Sequence, residues 1–109
     1  MSDAFYLDTL MQALEDVFEH RRAKPSHTVY KAVLFELVVI GEMASRLSKG
    51  ARELEAEIPW HRVVSVRNRL VHAPYNIDHH VIEEIVNIHL PLLKKKLIRL
   101  KKELKKQEK

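Results

Sequence analysis

The chain has 109 residues, of which 46% are hydrophobic and 31% are charged, and it contains no cysteine. This length predicts one domain, and the balance of apolar and charged residues excludes a disordered chain. The longest apolar run, residues 37–41, is far shorter than the ~20 residues of a membrane-spanning helix, and the lack of cysteine excludes disulfides. Residues 1–4 lack the features of an export signal, so we expect a cytoplasmic protein without a membrane segment.

The positive charge is concentrated at the C-terminal end of the chain. The formal net charge is +4, but residues 1–93 hold ten basic and thirteen acidic side chains, whereas residues 94–109 hold nine basic and two acidic ones. Such a run can attract nucleic acid or an acidic partner through its summed potential. The alternative is an ordinary solvated helix end, because cations stabilise the negative pole of the helix dipole.

Helices are predicted throughout, because the chain has two glycines and four prolines and lacks strand-type alternation. The first helix spans about Asp3–Arg22 and the second about Thr28–Ser48, with Pro25 between them. Gly50 is expected to end the second helix. Gly41 stands inside that helix, where glycine costs roughly 1 kcal/mol relative to alanine. We therefore expect the backbone of a neighbouring helix to cross close to Gly41.

The second half of the chain predicts two more helices. Residues 51–57 form a helical turn or a loop, and the third helix follows at about Pro59–His72. Asp78 is suited to cap a long fourth helix, which Pro91 is expected to bend because the carbonyl of Asn87 loses its partner. These elements predict an all-α fold, an antiparallel four-helix bundle. It would be a single domain over residues 1–109, with a basic helical extension from about residue 94.

The third helix carries the polar side chains that suggest chemistry. Most of its circumference is apolar, so we expect it to be largely enclosed, but at 100° per residue it also has one polar stripe. The stripe consists of His61, Ser65, Asn68 and His72. Arg67 falls among apolar neighbours, where an unpaired guanidinium is costly. A second copy of the chain, a bound phosphate or a carboxylate, for instance Glu36 or Glu42, must compensate its charge.

The segment Arg67-Asn68-Arg69-Leu70-Val71-His72 resembles the motif of the HEPN-domain ribonucleases and, more narrowly, of the HepT-type toxins. An arginine and a histidine are separated by four residues, and a polar residue follows the arginine. Arg-x4-His alone is a weak pattern, but three further segments match in the same order and extend the resemblance over nearly the whole chain. They are Ile40-Gly41-Glu42, Ile58-Pro59-Trp60 and Leu90-Pro91-Leu92-Leu93.

The resemblance implies a HEPN-like helical bundle that forms a homodimer and cleaves RNA without a metal or another cofactor. It also implies a minimal nucleotidyltransferase as the antitoxin partner. The catalytic residues would be Arg67 and His72, with Asn68 in support, and both subunits would contribute them to one cleft. His72 would transfer protons, because histidine does so near neutral pH, while Arg67 would bind the phosphate and stabilise its charge. Further candidate contacts to nucleic acid are Arg69, Lys94, Lys95 and Arg99.

Position 74 departs from the pattern of the HepT-type toxins. These proteins usually have a tyrosine two residues after the histidine, and the antitoxin modifies that tyrosine with AMP. Here Pro74 occupies this place and Tyr75 follows it, so Tyr75 is the candidate for modification. Either Tyr75 substitutes, or the partner blocks the cleft by binding alone, or the protein is not a toxin.

Two other functions are compatible with the sequence. One is a non-catalytic HEPN module that pairs with a nucleotidyltransferase and binds a nucleotide or RNA; the other is a plain dimerisation bundle. In these cases Arg67 would form a buried ion pair and His72 would cap the helix end. A metal site is not predicted, since His79 and His80 point about 100° apart on a helix and no HExxH motif accompanies them.

Overall fold

The structure is a computed structural model that describes residues 1–107, so residues 108 and 109 of the predicted basic extension lie outside it. Within the described residues the fold is all-helical, as predicted, and has no β-strand. The helices are α1 Asp3–Arg22, α2 His27–Arg46, α3 Lys49–Glu53, α4 Trp60–His72, α5 His79–Glu84 and α6 Leu90–Gln107. A 3₁₀ turn, Pro74–Asn76, connects α4 to α5, and a π-helical segment, Ile85–His89, joins α5 to α6. No helix among residues 1–107 is both long and apolar enough to span a membrane.

Polar side chains cap the N-termini of the long helices. Ser2 and Ser26 precede α1 and α2, and each hydroxyl accepts the N–H of the residue three positions later, at 3.2 and 3.1 Å. Asp78 accepts the N–H of His80 at 2.8 Å, which confirms the predicted cap before α5. Each bond satisfies one of the backbone donors that a helix N-terminus leaves without a partner.

The apolar stripes of three helices form the core. α2 packs along α1 on one side and against α4 on another, while α6 packs on α1. The most buried side chains of α1, α2 and α6 follow the spacing of 3 and 4 residues that predicted these helices. They are Leu7, Leu10, Leu14 and Val17 in α1, Val33, Leu37, Ile40 and Ala44 in α2, and Leu93, Leu97 and Leu100 in α6.

The second helix ends earlier than predicted. α2 stops at Arg46, and Gly50 lies inside α3, so the prediction that Gly50 ends the helix was wrong. The cause is Ser48, whose hydroxyl accepts the Ala51 N–H at 3.1 Å and begins a new helix. Ser48 is held in turn by Asp3, which accepts its backbone N–H and its hydroxyl at 2.8 and 2.7 Å. Such side-chain bonds compete with continuation of a helix.

Pro91 changes the hydrogen bonding of the helical turn before it. The predicted long fourth helix is continuous from His79 to Gln107, but it contains the π-helical segment, in which the Leu90 N–H donates to the carbonyl of Ile85. In a regular α-helix the ring of Pro91 would clash with the carbonyl of Asn87. The wider π turn moves the chain past that clash, so a π-helical bulge accommodates the proline, and this bulge was not predicted from the sequence.

α4 is much less enclosed than predicted. Leu70 is its one buried side chain within the described chain. Among the described residues, α4 packs mainly against α2, and most of its other side chains are exposed or only partly buried. The expectation of an enclosed helix was therefore wrong for the single chain, because an apolar face predicts burial without saying which element provides it.

Candidate functional site on α4

Gly41 lets α2 and α4 cross at close range. A Cβ atom at Gly41 would lie only 2.2 Å from the Cβ atom of Arg67 and 3.1 Å from the carbonyl oxygen of Val63. These distances are shorter than van der Waals contact, so no side chain fits between the helices here. The close approach predicted from this glycine is thus confirmed, and the helix that crosses is the one that carries the Arg-x4-His motif.

The close crossing places Arg67 beside Glu42, the residue after Gly41. Nη2 of Arg67 lies 3.1 Å from Oε2 of Glu42, and both side chains are about 30% exposed. Nη1 of Arg67 donates a hydrogen bond to Oδ1 of Asn68 at 2.7 Å. The positive charge of this guanidinium is thus compensated by a carboxylate, one of the possibilities predicted. Of the two candidate carboxylates, the partner is Glu42 and not Glu36. The ion pair is half-buried, so water screens part of the attraction.

Glu42 is shared between two guanidinium groups. Its Oε1 accepts a hydrogen bond from Nε of Arg46 at 3.0 Å, while its Oε2 faces Arg67. Arg46 was not among the residues predicted from the sequence, although its spacing of four residues from Glu42 is a signal for an ion pair on a helix. Two arginines around one carboxylate leave the cluster with a net positive charge. Nε of Arg67 is buried without a hydrogen-bond partner in residues 1–107, while its two Nη atoms contact Asn68 and Glu42.

The polar stripe of α4 faces solvent. His61, Ser65, Asn68 and His72 are all exposed. His72 is the last residue of α4, and within residues 1–107 no hydrogen bond or ion pair holds its imidazole. The structure therefore brings Arg67, Asn68 and Glu42 together and leaves His72 separate at the end of the same helix.

Tyr75 projects from the 3₁₀ turn that follows α4, and its side chain is 89% exposed. Arg69 is also exposed and has no carboxylate partner in the described part of the chain. Both residues lie within three positions of His72. The phenol of Tyr75 and the guanidinium of Arg69 are thus accessible to a ligand or a partner protein.

The basic residues of α6 differ in their availability. Nζ of Lys94 lies 2.6 Å from Glu15 and 5.6 Å from the ring centre of Phe18, and Arg99 donates to Glu55 at 3.0 Å. Lys95 is exposed and has no ion pair within residues 1–107. Two of the four predicted nucleic-acid contacts are therefore already paired with carboxylates of α1 and of the turn after α3.

The histidines outside the motif do not gather around a metal position. Within the described residues, no group of three or more histidine, aspartate or glutamate side chains has the arrangement of a metal site. The ring of His79 instead stacks on Tyr30, with ring centres 4.4 Å apart and an angle of 6° between the planes. His79 thus helps to fix the junction between α2 and α5.

An all-helical chain that carries an arginine, an asparagine and a histidine on one helix has side-chain types that bind phosphate and transfer protons, as a helical ribonuclease requires. Comparison with known proteins gives the same class. The family model described as "Ribonuclease HepT-like" matches residues 6–100, and the chain belongs to this family.

Named relatives are similar over most of the chain. The protein named "Probable ribonuclease HepT" from Thermococcus cleftensis is 29% identical over 103 residues, which cover 89% of this chain and 94% of that protein. One named "Putative RNase" from Caldanaerobacter subterraneus is 26% identical over 98 residues, covering 84% and 88%. Another of that name from Methanocaldococcus jannaschii is 33% identical over 66 residues, 61% of each chain. No solved structure gives a significant match. Together, these names support an RNase-type function.

Proposed function

We propose that the chain is a HepT-like endoribonuclease toxin that cuts RNA as a homodimer of antiparallel four-helix bundles, without a metal ion. The observation that carries the proposal is the arrangement on α4 in a chain of the HepT-like ribonuclease family. Arg67 is oriented by Glu42 and Asn68 next to an exposed polar stripe that ends at His72. Phosphate binding and proton transfer are the tasks that RNA cleavage without a metal requires.

In the proposed reaction His72 accepts the proton of a ribose 2′-hydroxyl, and the 2′-oxygen attacks the adjacent phosphorus. The bond from phosphorus to the 5′-oxygen breaks, which leaves a 2′,3′-cyclic phosphate. A protonated His72 imidazole then donates a proton to the leaving 5′-oxygen. Arg67 contacts the non-bridging oxygens and stabilises their charge, because guanidinium matches the geometry of phosphate and keeps its own charge.

A second copy of the chain completes the proposed site. Arg67 and His72 point about 140° apart on one ideal helix, so they do not converge on one phosphate within a single chain. A two-fold axis near α4 would place Arg67 of one copy beside His72 of the other. The incomplete burial of α4 supports this arrangement, since Val71, next to His72, is exposed in the single chain.

The proposed partner is a minimal nucleotidyltransferase that acts as antitoxin in the cytoplasm, where RNA and ATP are present. The exposed hydroxyl of Tyr75 is accessible to such an enzyme. The tyrosine oxygen would attack the α-phosphorus of ATP, so that AMP becomes attached to Tyr75 and pyrophosphate leaves. Growth arrest on expression of the chain, relieved when His72 is replaced with alanine, tests the toxin role.

The basic residues would differ in how readily they contact RNA. Arg69 and Lys95 can contact phosphates directly, whereas Lys94 and Arg99 would have to leave their carboxylate partners first. We therefore assign the main electrostatic contacts to Arg69 beside the motif and to Lys95 on α6. Lys94 and Arg99 are secondary contacts in this proposal.

The ion pair between Arg67 and Glu42 favours a second candidate function. In a non-catalytic HEPN module this pair would fasten α4 to α2, and the groove would only bind a nucleotidyltransferase partner and a nucleotide or RNA. That candidate predicts that alanine at position 67 lowers the melting temperature and that no variant changes the rate of RNA cleavage above background.

Cleavage of a labelled single-stranded RNA in the presence of EDTA decides between the two functions. We expect His72→Ala to lower the rate by at least about 100-fold, the usual contribution of general acid–base catalysis. His61→Ala is the matched control, because His61 is an exposed histidine on the same stripe, and it should cleave within about twofold of the unaltered protein. Equal rates for the unaltered protein and His72→Ala, or complete inhibition by EDTA, would contradict the proposal.

A further inference from the structure

A cleft beside the C-terminal end of α4 collects aromatic side chains. It encloses about 440 Å³ between α2, the 3₁₀ turn and the beginning of α5. Three of the seven phenylalanine, tyrosine and tryptophan residues of the chain line it. These are Tyr30, Phe35 and Tyr75. Its floor is apolar and includes Leu34, Val38 and Leu70.

Two of the three aromatic rings are free to contact a ligand. Tyr75 is 89% exposed and Phe35 is 64% exposed, whereas Tyr30 is stacked on His79 and forms a fixed wall. Burial of a large aromatic side chain is favourable in free energy. Two exposed rings around one cleft therefore form a surface that a flat apolar group would cover.

The side chains that line this cleft suit an anion, although the charges of Asp78 and Glu83 also act on Tyr30 in its wall. No residue in its described lining is acidic, and Lys31 on its rim has no ion pair within residues 1–107. A second cleft, which shares Phe35 and is also lined by Phe5, differs because its other lining residues include Asp8, Asp16 and Glu36, which would repel a polyanion. A flat group joined to a negative charge is the composition of a nucleotide.

The cleft also lies within reach of the proposed catalytic histidine. Three trans peptide units separate His72 from Tyr75, so their Cα atoms are at most about 11 Å apart. A few nucleotides of one RNA strand cover this distance. A strand cut at His72 would therefore pass the ring of Tyr75.

We propose that this cleft binds one base of the RNA substrate, with Tyr75 as the stacking platform and Lys31 as a contact to its phosphate. The inference rests on the proposed function in taking RNA as the ligand. It names the substrate class as single-stranded or looped RNA, because only an unpaired base can leave its neighbours and stack on a protein ring.

Binding of a labelled single-stranded RNA tests this subsite in the non-cleaving His72→Ala background, by fluorescence anisotropy. We expect Tyr75→Ala to weaken binding by about tenfold, the usual loss when one stacked base is released. Tyr75→Phe should bind within about twofold, since stacking needs the ring and not the hydroxyl. Phe5→Ala is the matched control, because it removes an exposed ring from the acidic cleft, and it should leave the affinity unchanged. Lys31→Ala should reduce the slope of log affinity against log salt by about one.

Three results would overturn the subsite. One is unchanged affinity in Tyr75→Ala, and another is an equal loss in Tyr75→Phe. The third is dissociation of the dimer in Tyr75→Ala, measured by sedimentation, which would make the cleft a contact between two copies of the chain. Cleavage by the unaltered protein is measured separately. If Tyr75→Ala cleaves RNA with an unchanged KM, the subsite is refuted and the proposed function is not. If RNA binding depends on Tyr75 but the unaltered protein does not cleave RNA, the proposed function is refuted and the subsite is not.

Discussion

Replacing Gly41 with alanine tests whether the close crossing of α2 and α4 holds the site together. The new Cβ atom would lie 2.2 Å from the Cβ atom of Arg67, so the helices would have to separate by more than about 1 Å to reach normal contact. Overpacking of this kind costs about 3 kcal/mol at the upper end of its usual range, and alanine returns about 1 kcal/mol as the better helix former. We therefore expect a net loss of about 2 kcal/mol and a melting temperature about 8 °C lower.

Thermal unfolding followed by circular dichroism measures this loss, with Gly50→Ala as the matched control. A Cβ atom at Gly50 has its nearest neighbour at 3.9 Å and lies in the short helix α3, so that substitution should be neutral or slightly stabilising. In Gly41→Ala the displaced α4 should also move Arg67 away from Glu42 and lower RNA cleavage. A melting temperature for Gly41→Ala equal to that of Gly50→Ala would refute the reasoning.

Two further predictions concern charge. Burial, followed by the hydrogen bond and the charge of Asp16, raises the pKa of Glu36 from 4.5 to about 7. The folded chain therefore retains a proton that the unfolded chain releases, so stability falls as pH rises between these two values, and Glu36→Gln should raise the melting temperature at pH 8 but hardly at pH 5. An equal shift at both pH values would contradict this. Lys95→Ala should reduce the salt dependence of RNA binding more than Lys94→Ala, because Lys94 is already paired with Glu15; equal reductions in a salt titration would show that RNA displaces Glu15.

The sequence predicted the helices and the crossing at Gly41, because both depend on local patterns. Apolar spacing defines α1 and α2 whatever they contact, and a glycine inside a helix signals a close neighbour. The choice between Glu36 and Glu42 as partner of Arg67 depends on how α2 is rotated against α4, since six residues place these carboxylates about 120° apart on the helix. The sequence therefore left both carboxylates open, and the packing of α2 against α4 decides for Glu42.

The ion pair of Arg67 does not by itself make this arginine structural. A half-buried carboxylate that loses its only partner becomes an uncompensated charge, and this cost would normally hold the arginine in place. Glu42, however, also accepts a hydrogen bond from Arg46. In the proposed reaction a phosphate would draw Arg67 away, and Arg46 would keep the carboxylate paired, so releasing Arg67 would cost less than it would from an isolated pair. Arg67 can therefore be oriented by Glu42 before the substrate arrives and still turn its Nη groups to the phosphate, as the proposed reaction requires.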